Sequence, residues 1–257
     1  MAEPSGVLVV DSLTKSFPLP GGRPPRDVLA GVSFTARHGE FVSVIGPSGC
    51  GKSTVFSLLA GLDTPDSGSV HFGRDDGEPA DAHCAYMPQR DLLFPWRTVL
   101  DNTTLGLLVR GVPRAEARRR ARALFGVFGL TGFEDARPAQ LSGGMRQRAA
   151  LLRTVVQERD LLLLDEPFGA LDSLTRTDMQ SWLQEVWQRY RWTVLMITHD
   201  IREAVYLSDR VVVLSPRPAT VLREVRVELP RPRELSILAA PEFAALEREL
   251  LGLLHGP

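Results

Sequence analysis

The fold of this chain is decided by one stretch of sequence, Gly46-Pro47-Ser48-Gly49-Cys50-Gly51-Lys52-Ser53-Thr54. It follows the β-rich run Phe41–Ile45 and precedes the helical run Val55–Ala60. Its glycines allow the backbone to curl until successive N–H groups face inward around an anion, and the positive end of the following helix adds a favourable field. A strand, this loop and a helix in that order therefore predict a phosphate-binding loop.

Two side chains of the stretch add chemistry that the backbone cannot supply. Lys52 can reach the β- and γ-phosphates of a nucleotide as a compact charge, and Ser53 can ligate Mg²⁺. Lysine is unusual in this chain because 28 of its 30 basic residues are arginine, which we attribute mainly to coding bias. The other lysine, Lys15, is expected in an exposed strand and has no assigned role.

Composition and charge exclude several classes of protein. The 257 residues carry 30 basic and 31 acidic side chains, so the net charge of −1 gives no overall attraction to nucleic acid or to an anionic membrane. The longest apolar runs, such as Leu161–Leu164, are far shorter than the roughly 18 residues that cross a bilayer, and Met1–Asp11 lacks the pattern of a secretory signal. Cys50 and Cys84 make neither a disulfide framework nor a metal-ligand cluster, which fits a reducing cytoplasm.

Short apolar runs alternate with helical patterns in the second half of the chain. In order, the predicted elements are the strand Leu161–Leu164, the helix Asp172–Tyr190, the strand Thr193–Thr198, the helix Ile201–Leu207 and the strand Val211–Leu214. Continuous apolar strands separated by helices are typical of parallel strands that are buried on both faces. The sequence therefore predicts an α/β core, preceded by a helical insert from Asp91 to about Arg159.

The two ends of the chain have simpler patterns. The first 45 residues predict short strands, including Val7–Val10, with a loop at Pro18–Pro25, and another strand follows at Ser67–Phe72. A short amphipathic helix is predicted to begin at Pro241. Its apolar face consists of Phe243, Leu246, Leu250 and Leu253.

The strand Leu161–Leu164 leads into a second chemical motif, Asp165-Glu166-Pro167. An aspartate at the end of a buried strand can hold Mg²⁺ in nucleotide triphosphatases that have a phosphate loop. Glu166 is predicted to point to the opposite side and to polarise an attacking water. Alone, the motif often marks a strand-ending turn, but beside a phosphate loop it predicts catalysis.

A third motif, Leu141-Ser142-Gly143-Gly144-Met145-Arg146-Gln147-Arg148, opens a helix. Ser142 is a good N-cap, and the two glycines leave backbone N–H groups uncovered at a positive helix end. A purely structural helix would explain Ser142 but not the Gly-Gly pair. We therefore expect a second anion-binding helix end, so that a nucleotide is gripped from two sides.

In this order, the motifs resemble those of the nucleotide-binding subunit of ATP-binding-cassette (ABC) transporters. The resemblance covers nearly all of residues 7–230. It implies an α/β fold, a phosphate-loop NTPase (RecA-like) core with an N-terminal antiparallel β subdomain and an α-helical insert. The nucleotide-binding domain is expected at residues 1–230, with the helical subdomain inserted at roughly 90–159, and a C-terminal extension with the short amphipathic helix at 231–257.

The resemblance assigns roles to individual residues. The residues expected to bind ATP are Phe17, Gly46, Pro47, Ser48, Gly49, Cys50, Gly51, Lys52, Ser53, Thr54, Ser142, Gly143, Gly144, Gln147 and Asp172. The residues expected to be catalytic are Lys52, Gln89, Glu166 and His199, and those expected to hold Mg²⁺ are Ser53, Gln89 and Asp165. Phe17 stands where most relatives have a tyrosine that stacks on adenine. Taken singly, Phe17, Gln89 and His199 would be interpreted as a core residue, a surface residue and a strand end.

The resemblance also implies partners. A second copy of the chain is expected to pack head to tail, so that each ATP lies between one phosphate loop and the other copy's Ser142–Gly144. The pair is expected to sit on integral membrane permease subunits, as a peripheral protein at the cytoplasmic face of the cell membrane, and to act indirectly with an extracytoplasmic solute-binding protein. Nucleic acid is not expected, because the six arginines between Arg110 and Arg122 are interpreted as a solvated helix face.

The segment Asp91–Val99 narrows the class of transporter. It is apolar with two aromatic residues, and it could be either a docking surface for a membrane helix or a buried edge of the helical insert. The amino-acid sequence of this segment, together with Gly169–Arg176 and the Arg-Pro-Arg tail, is similar to that of importers for nitrate, sulfonate, taurine and thiamine-pyrimidine compounds. An importer of a small solute is therefore expected, but the sequence does not identify the solute.

Three other functions fit parts of the pattern. A soluble ABC ATPase of DNA repair or translation usually has two cassettes, a coiled coil or a zinc insert, and this sequence has none of them. A nucleotide-locked regulatory subunit is disfavoured by Glu166 and His199. An exporter is disfavoured by the segment Asp91–Val99, which lone exporter cassettes rarely carry.

Overall fold

The computed structural model describes residues 6–73 and 83–255. Residues 1–5 and 74–82 of the predicted domain and residues 256–257 of the predicted extension lie outside the described residues. The strands are β1 (Gly6–Phe17), β2 (Arg26–Arg37), β3 (Phe41–Ile45), β4 (Ser67–Phe72), β5 (Cys84–Met87), β6 (Leu161–Asp165), β7 (Thr193–Ile197), β8 (Arg210–Leu214) and β9 (Val221–Arg226). The α-helices are α1 (Lys52–Leu59), α2 (Val99–Thr103), α3 (Leu105–Val109), α4 (Arg114–Phe125), α5 (Gly143–Val155), α6 (Ser173–Tyr190), α7 (Ile201–Leu207) and α8 (Pro241–His255).

The strands form two sheets. One sheet is antiparallel with the order β2-β1-β4, and the other has the order β5-β6-β7-β3-β8-β9. In the second sheet every neighbouring pair is parallel except β8 with β9. The predicted phosphate-loop core of parallel strands, with an antiparallel β subdomain at the N-terminal end, is therefore confirmed.

The inner strands of the parallel sheet divide their side chains between two hydrophobic clusters. In β6, Leu162 and Leu164 belong to one cluster, while Leu161 and Leu163 belong to the other. The first cluster includes most of the apolar helix residues, and the second is shared with α1 and the antiparallel sheet. Because both faces are covered, these strands are apolar at nearly every position instead of alternating.

Strand β1 is longer than the predicted Val7–Val10. A β-bulge after Val10 changes which side chains face the core, and the strand continues beyond it. Leu8, Val10 and Leu13 are all buried, and the pairing with β2 shifts between Val10 and Leu13. Ser12, inside the shift, has a φ of 50°. Opposite it on β4, Gly68 has a φ of +87°, and a Cβ there would collide with the Ser12 carbonyl oxygen. Glycine at this position allows β4 to pair across the bulge.

Strands β5 and β9 were not predicted from the sequence. β5 has only four residues and pairs with β6 at one edge of the sheet. β9, with the sequence VLREVR, is mostly exposed and pairs with β8 at the other edge. A strand this short, or one rich in charged residues, carries too little hydrophobic pattern to be recognised.

The helices between β5 and β6 pack on one another and on the sheet. Helix α5 contacts α2, α4 and β5. Several arginines of α4 pair with acidic groups: Arg119 and Arg120 each bind Glu116 at 2.7 Å, and Arg118 pairs with Asp101. Ion pairs between residues three and four positions apart are typical of a solvent-exposed helix face.

The amphipathic helix predicted from Pro241 is α8. Phe243 and Leu250 are fully buried, and Leu246 and Leu253 pack against the same cluster. The helix lies on α7 and β8. The spacing of these four apolar residues thus corresponds to the face that is covered.

Two arginines fasten the segment before α8 to the end of α7. Arg233 is 2% exposed and donates to the backbone carbonyls of Val205, Tyr206 and Ser208. Burial lowers the pKa of Arg233 to about 10. Arg231 lies 4.2 Å from the centre of the Trp187 ring. A cation at the carbonyl end of a helix stabilises that end.

The described residues contain neither a helix that could span a membrane nor a disulfide. Within the ranges 6–73 and 83–255, no helix has both the length and the apolar content needed to cross a membrane. Cys50 and Cys84 are both buried and form no disulfide. The Sγ of Cys84 contacts the carbonyl oxygen of Leu59 at 3.5 Å.

Helix α7 contains a buried carboxyl group, Glu203. It is 4% exposed and accepts a hydrogen bond from Nε2 of Gln180 at 3.0 Å. Burial raises the pKa of Glu203 to about 8, and the neighbouring charge of Asp200 also raises it. A raised pKa in the folded state means that this group stabilises the fold fully below its ordinary pKa of 4.5, and that this contribution is lost as the pH rises through 8.

We predict that Glu203→Gln makes the free energy of unfolding less dependent on pH. Glutamine cannot ionise, so the variant avoids the free-energy cost of keeping a buried carboxyl group protonated or burying its charge. In the parent this cost grows as the pH rises from the ordinary pKa of Glu203 to its raised pKa, and it reaches on the order of a few kcal/mol. Urea unfolding at several values between pH 5 and pH 8 measures the difference between the two proteins, which should widen as the pH rises. Glu185→Gln, at an exposed position of α6, is the control and should follow the parent. A difference between E203Q and the parent that stayed constant would contradict the prediction.

Candidate ATP-binding site

The strand order of the parallel sheet brings the sequence motifs together at the C-terminal ends of the strands. β3 lies between β7 and β8, and β6 lies on the other side of β7. Because these strands are parallel, the loops that follow β3, β6 and β7 all lie at the same end of the sheet. Those loops carry the phosphate loop, Asp165-Glu166 and His199, respectively.

The shape of the phosphate loop depends on glycine at Gly51, the residue before α1. Gly51 has a φ of +125°, which side chains rarely allow. A Cβ at this position would also lie 2.9 Å from the side chains of Val28 and Leu29 on β2. Backbone conformation and close packing therefore require the same residue that the motif requires.

Lys52 closes the phosphate loop from inside. It is the first residue of α1 and is 7% exposed. Its Nζ donates to the carbonyl oxygens of Gly46 and Pro47 at 2.8 and 3.0 Å. The ammonium is thus held within the curled backbone, where the predicted phosphate would lie.

A cavity of about 570 Å³ lies over this loop. It is lined by Ser48, Gly49, Gly51, Lys52, Ser53, Thr54, Gln89, Glu166, His199 and Arg217. All of these residues except Arg217 were predicted site residues. Predicted site residues that do not line it are Phe17, Gly46, Pro47, Cys50, Ser142, Gly143, Gly144, Gln147, Asp165 and Asp172.

Glu166 is the centre of the polar contacts in the cavity. Its Oε2 accepts a hydrogen bond from Nε2 of Gln89 at 3.0 Å and lies 3.3 Å from Nδ1 of His199. Its backbone has a φ of 45°, and its N–H donates to the carbonyl oxygen of Ile197 on β7. Strained backbone of this kind is common at functional sites. The carboxylate is held where it can polarise a water in the cavity.

Asp165 lies at the end of β6 and is 6% exposed. Burial raises the pKa of Asp165, and so does the adjacent charge of Glu166, while hydrogen bonds from Tyr86 and Ser53 and the charge of Lys52 lower it. The hydroxyl of Tyr86 donates to Oδ2 of Asp165 at 3.1 Å. A buried carboxylate with an incompletely compensated charge is a suitable ligand for a cation.

The predicted magnesium ligands form a suitable donor set. The Ser53 hydroxyl, the Asp165 carboxylate and the Gln89 amide oxygen are all hard oxygen donors, which Mg²⁺ prefers. Gln89 uses its amide nitrogen for Glu166, so its amide oxygen is not involved in that bond. The residues present therefore fit a magnesium ion.

Ser142 of the third motif caps helix α5 as predicted, but one glycine of that motif has a packing role that the sequence did not reveal. The hydroxyl of Ser142 accepts a hydrogen bond from the Met145 N–H at 3.2 Å. Gly144 is buried, and a Cβ there would lie 2.9 Å from the Thr175 side chain on α6. The Gly-Gly pair is therefore partly explained by close helix packing, whereas Gly143 and Ser142 are exposed.

The other predicted nucleotide-contacting residues have separate surroundings. Gln147 is buried, and its amide donates to the carbonyl oxygen of Pro167, so it ties α5 to the turn after Glu166. Asp172 caps α6 by accepting from the Thr175 N–H at 3.1 Å. Phe17, at the end of β1, is 39% exposed.

Lys15, which was expected in an exposed strand and had no assigned role, is largely covered in the structure. Its side chain is only 12% exposed, and its Nζ donates to Oδ1 of Asp63 at 2.8 Å and to the carbonyl oxygen of Thr64 at 2.6 Å. The same ammonium lies 5.4 Å from the centre of the Phe17 ring. Lys15 therefore connects the end of β1 to the turn after α1, a contact between segments too distant in sequence to predict.

Comparison with known proteins identifies the family. Residues 29–169 match the family described as ABC transporter. The chain belongs to this family. It is 42% identical to the formylaminopyrimidine import ATP-binding protein ThiZ of Halalkalibacterium halodurans, over 88% of this chain and 90% of ThiZ. It is also 42% identical to the nitrate import ATP-binding protein NrtD of Synechocystis, over 89% of this chain and 88% of NrtD.

A solved ABC transporter structure has the same fold. The dimeric bacterial ABC transporter cassette MJ0796 superposes with a TM-score of 0.72 and 30% sequence identity, over 87% of this chain and all of that one. MJ0796 is also known in a post-hydrolysis state with bound ADP and phosphate. This chain is accordingly an ABC transporter ATPase.

Two residues of this ABC cassette site escaped the sequence analysis. Tyr86 lies three residues before Gln89 and carries no motif of its own, but it hydrogen-bonds Asp165 because β5 lies beside β6. Arg217 follows β8 in a Ser-Pro-Arg-Pro turn, which matches no nucleotide-binding pattern. Tyr86 reaches the site from a neighbouring strand and Arg217 from a turn distant in sequence, so neither is recognisable from the residues next to it in the chain.

We predict that Lys52→Arg abolishes most of the ATPase activity of this ABC cassette. The ammonium occupies a buried position between two carbonyl oxygens, where the wider planar guanidinium does not fit. Phosphate release by the purified chain should fall by about tenfold or more if one charge-assisted phosphate contact is lost. Lys15→Arg, at the only other lysine of the chain, is the matched control and should retain its turnover. Near-normal turnover by K52R would refute the geometric argument.

Proposed function

We propose that this chain is the ATP-hydrolysing subunit of an ABC importer for a small solute such as nitrate, an aliphatic sulfonate, taurine or a pyrimidine-type compound. It works as a dimer of cassettes on a membrane permease, as a peripheral protein at the cytoplasmic face of the membrane. The observation that carries the proposal is the convergence of Lys52, Gln89, Glu166 and His199 on one cavity over the phosphate loop. The import functions in the names of ThiZ and NrtD support the class of solute.

In this proposal, water attacks the γ-phosphorus of ATP. Glu166 orients the water and takes its proton, the new P–O bond forms, and the bond to the β–γ bridging oxygen breaks. Lys52 neutralises charge on the β- and γ-phosphates, and His199 contacts the γ-phosphate. The contacts of Glu166 with Gln89 and His199 support this division of roles, because they keep the carboxylate at the cavity.

Mg²⁺ belongs to the proposal as the cofactor, and it would supply charge neutralisation on the phosphate oxygens. Ser53, Gln89 and Asp165 are the residues that would hold it. The buried Asp165 carboxylate, whose raised pKa reflects its desolvation, would gain a partner for its charge.

A second copy of the chain completes the proposed site. Ser142 and Gly143 are exposed and do not line the cavity over the phosphate loop. A head-to-tail dimer would bring the second copy's Ser142–Gly144 and Asp172 to the nucleotide, with Phe17 stacking on adenine from the first copy. The dimeric state of MJ0796 supports this arrangement.

We predict that Glu166→Gln nearly stops hydrolysis but permits ATP-dependent dimerisation. The amide cannot accept the proton of the water, and loss of a general base typically lowers turnover by about 10²–10⁴-fold. The phosphate contacts that join two copies do not depend on that proton. Phosphate release and light scattering, each with and without ATP, measure the two properties.

The exposed residue Glu185 on α6 offers the matched control, Glu185→Gln. It should hydrolyse ATP like the parent and dimerise only transiently. If E166Q turned over ATP at the parent rate, Glu166 would not be the base.

The segment Asp91–Val99 is the proposed surface for the permease. Leu92, Phe94 and Trp96 are exposed by 56%, 41% and 68%, respectively, whereas Leu93 and Val99, the first residue of α2, are buried. Phe94 and Trp96 stack with ring centres 5.2 Å apart. An exposed patch of large apolar side chains of this kind favours the docking interpretation over a buried edge.

The backbone under this patch is held firmly. Oδ1 of Asn102 accepts from the Phe94 N–H at 2.7 Å, and its Nδ2 donates to the Phe94 carbonyl at 3.1 Å. Arg153 on α5 donates to the carbonyl oxygens of Asp91 and Leu92. The apolar side chains are therefore presented on an ordered loop, which lowers the entropy cost of docking.

We predict that Trp96→Ala weakens the association with the permease. In the parent, a tagged chain isolated from detergent-solubilised membranes should carry a small integral membrane protein with multiple spans, identified by mass spectrometry. Removal of the most exposed aromatic side chain of the patch should reduce the recovered permease about tenfold or more, as for an interface hot spot.

The control is Leu62→Ala, which removes a side chain that is equally exposed, at 68%, outside the patch. It should recover as much permease as the parent, and unfolding temperatures should be similar for all three proteins. Equal recovery with W96A and L62A would place docking elsewhere. The solute is then identified as the one whose binding protein stimulates ATP hydrolysis by the complex.

A further inference from the structure

Arg217 lies beside the phosphate loop, although no sequence motif assigns it there. It belongs to the turn between β8 and β9 and lines the same cavity as Lys52 and Glu166. Its Nη2 is 3.2 Å from the position that a Cβ on Gly49 would occupy. The guanidinium is therefore packed directly against the backbone of the loop.

The charge of Arg217 has no protein partner in the part of the chain that the structure describes. The side chain is exposed, and it makes no hydrogen bond or ion pair with residues 6–73 or 83–255. Arg210, at the start of the preceding strand, is by contrast paired with Glu40 and Glu224. A guanidinium has five donors in a planar fork that suits phosphate oxygens. Those of Arg217 remain available to a ligand in the cavity.

The turn that carries Arg217 is anchored to the antiparallel sheet. The Ala219 N–H donates to the carbonyl oxygen of Val28 at 2.8 Å, and Ala219 is fully buried. Ser215 and Thr220 close the turn with a backbone hydrogen bond of 2.9 Å. Since Val28 also packs on Gly51, the turn is fixed relative to the phosphate loop. Little backbone entropy would be lost when Arg217 meets a ligand.

The balance of charge at the site also favours a second cation. Lys52 is the other lysine or arginine that lines the cavity, and Glu166 lines it with the opposite charge. Asp165 adds a second carboxylate at the end of β6. A magnesium–ATP complex brings about two further net negative charges, which the site must neutralise. Without Arg217, the two carboxylates would be matched by Lys52 as the single lysine or arginine of the cavity.

We propose that Arg217 is a nucleotide-contacting residue, whose guanidinium binds a phosphate oxygen of the nucleotide in this cavity. A phosphate loop cradles the α- and β-phosphates with its backbone, and Arg217 packs on that backbone at Gly49. The contact is therefore made to a phosphate that ATP and ADP have in common. This inference rests on the proposed function, which assigns the cavity to ATP.

The test measures nucleotide affinity of the full-length chain by calorimetry with ATP, with ADP and with inorganic pyrophosphate. Arg217→Ala should raise the Kd for all three about tenfold, the effect of losing one charge-assisted phosphate contact. Arg217→Lys keeps the charge but not the fork, and should show a smaller increase. Arg223→Ala, at an exposed arginine on β9, is the matched control and should bind like the parent.

Two results would overturn the inference while leaving the proposed function intact. In the first, R217A and R223A bind ADP and pyrophosphate as tightly as the parent does. In the second, R217A binds ADP normally but fails in ATP-dependent dimerisation, which would assign Arg217 to a contact with the second copy. If the parent itself bound neither ATP nor ADP, the proposed function would fail, and the inference about Arg217 would fail with it.

Discussion

The parallel pairing of β3 with β7 and β8 is the constraint on which the rest of the structure depends. Parallel strands cannot be joined by tight turns, so each needs a crossover, and the crossovers cover both faces of the sheet. Together with the parallel pairing of β6 and β7, the same pairing places the C-terminal ends of β3, β6 and β7 at the same end of the sheet. The phosphate loop, Asp165-Glu166 and His199 meet there because of strand order and not because of sequence proximity.

The polar groups at this end of the sheet hold one another in position before any nucleotide arrives. Lys52 is bound by two backbone carbonyls of its own loop. Tyr86 binds Asp165, and Gln89 binds Glu166. The contacts of Lys52 and Asp165 satisfy charged groups that would be costly to bury alone. These groups are therefore preorganised, and a ligand that binds them replaces contacts between protein groups.

The segment after the parallel sheet supports the helix that follows His199. Arg233 donates to carbonyls at the end of α7, and α8 covers α7 and β8. Asp200 caps the other end of α7 by accepting hydrogen bonds from the N–H groups of Arg202 and Glu203. Both ends of this short helix are thus satisfied, which fixes the loop that carries His199.

The sequence by itself determined those features that depend on near neighbours: the phosphate loop, the alternation of strands and helices, and the N-cap at Ser142. Each of these features depends on only a few consecutive residues, so it can be recognised in the linear sequence. Tertiary structure alone decided the burial of Lys15 against Asp63, the position of Arg217 over Gly49, and the pairing of the edge strands β5 and β9. These contacts join segments that meet only after the sheet has formed, and no local pattern encodes them.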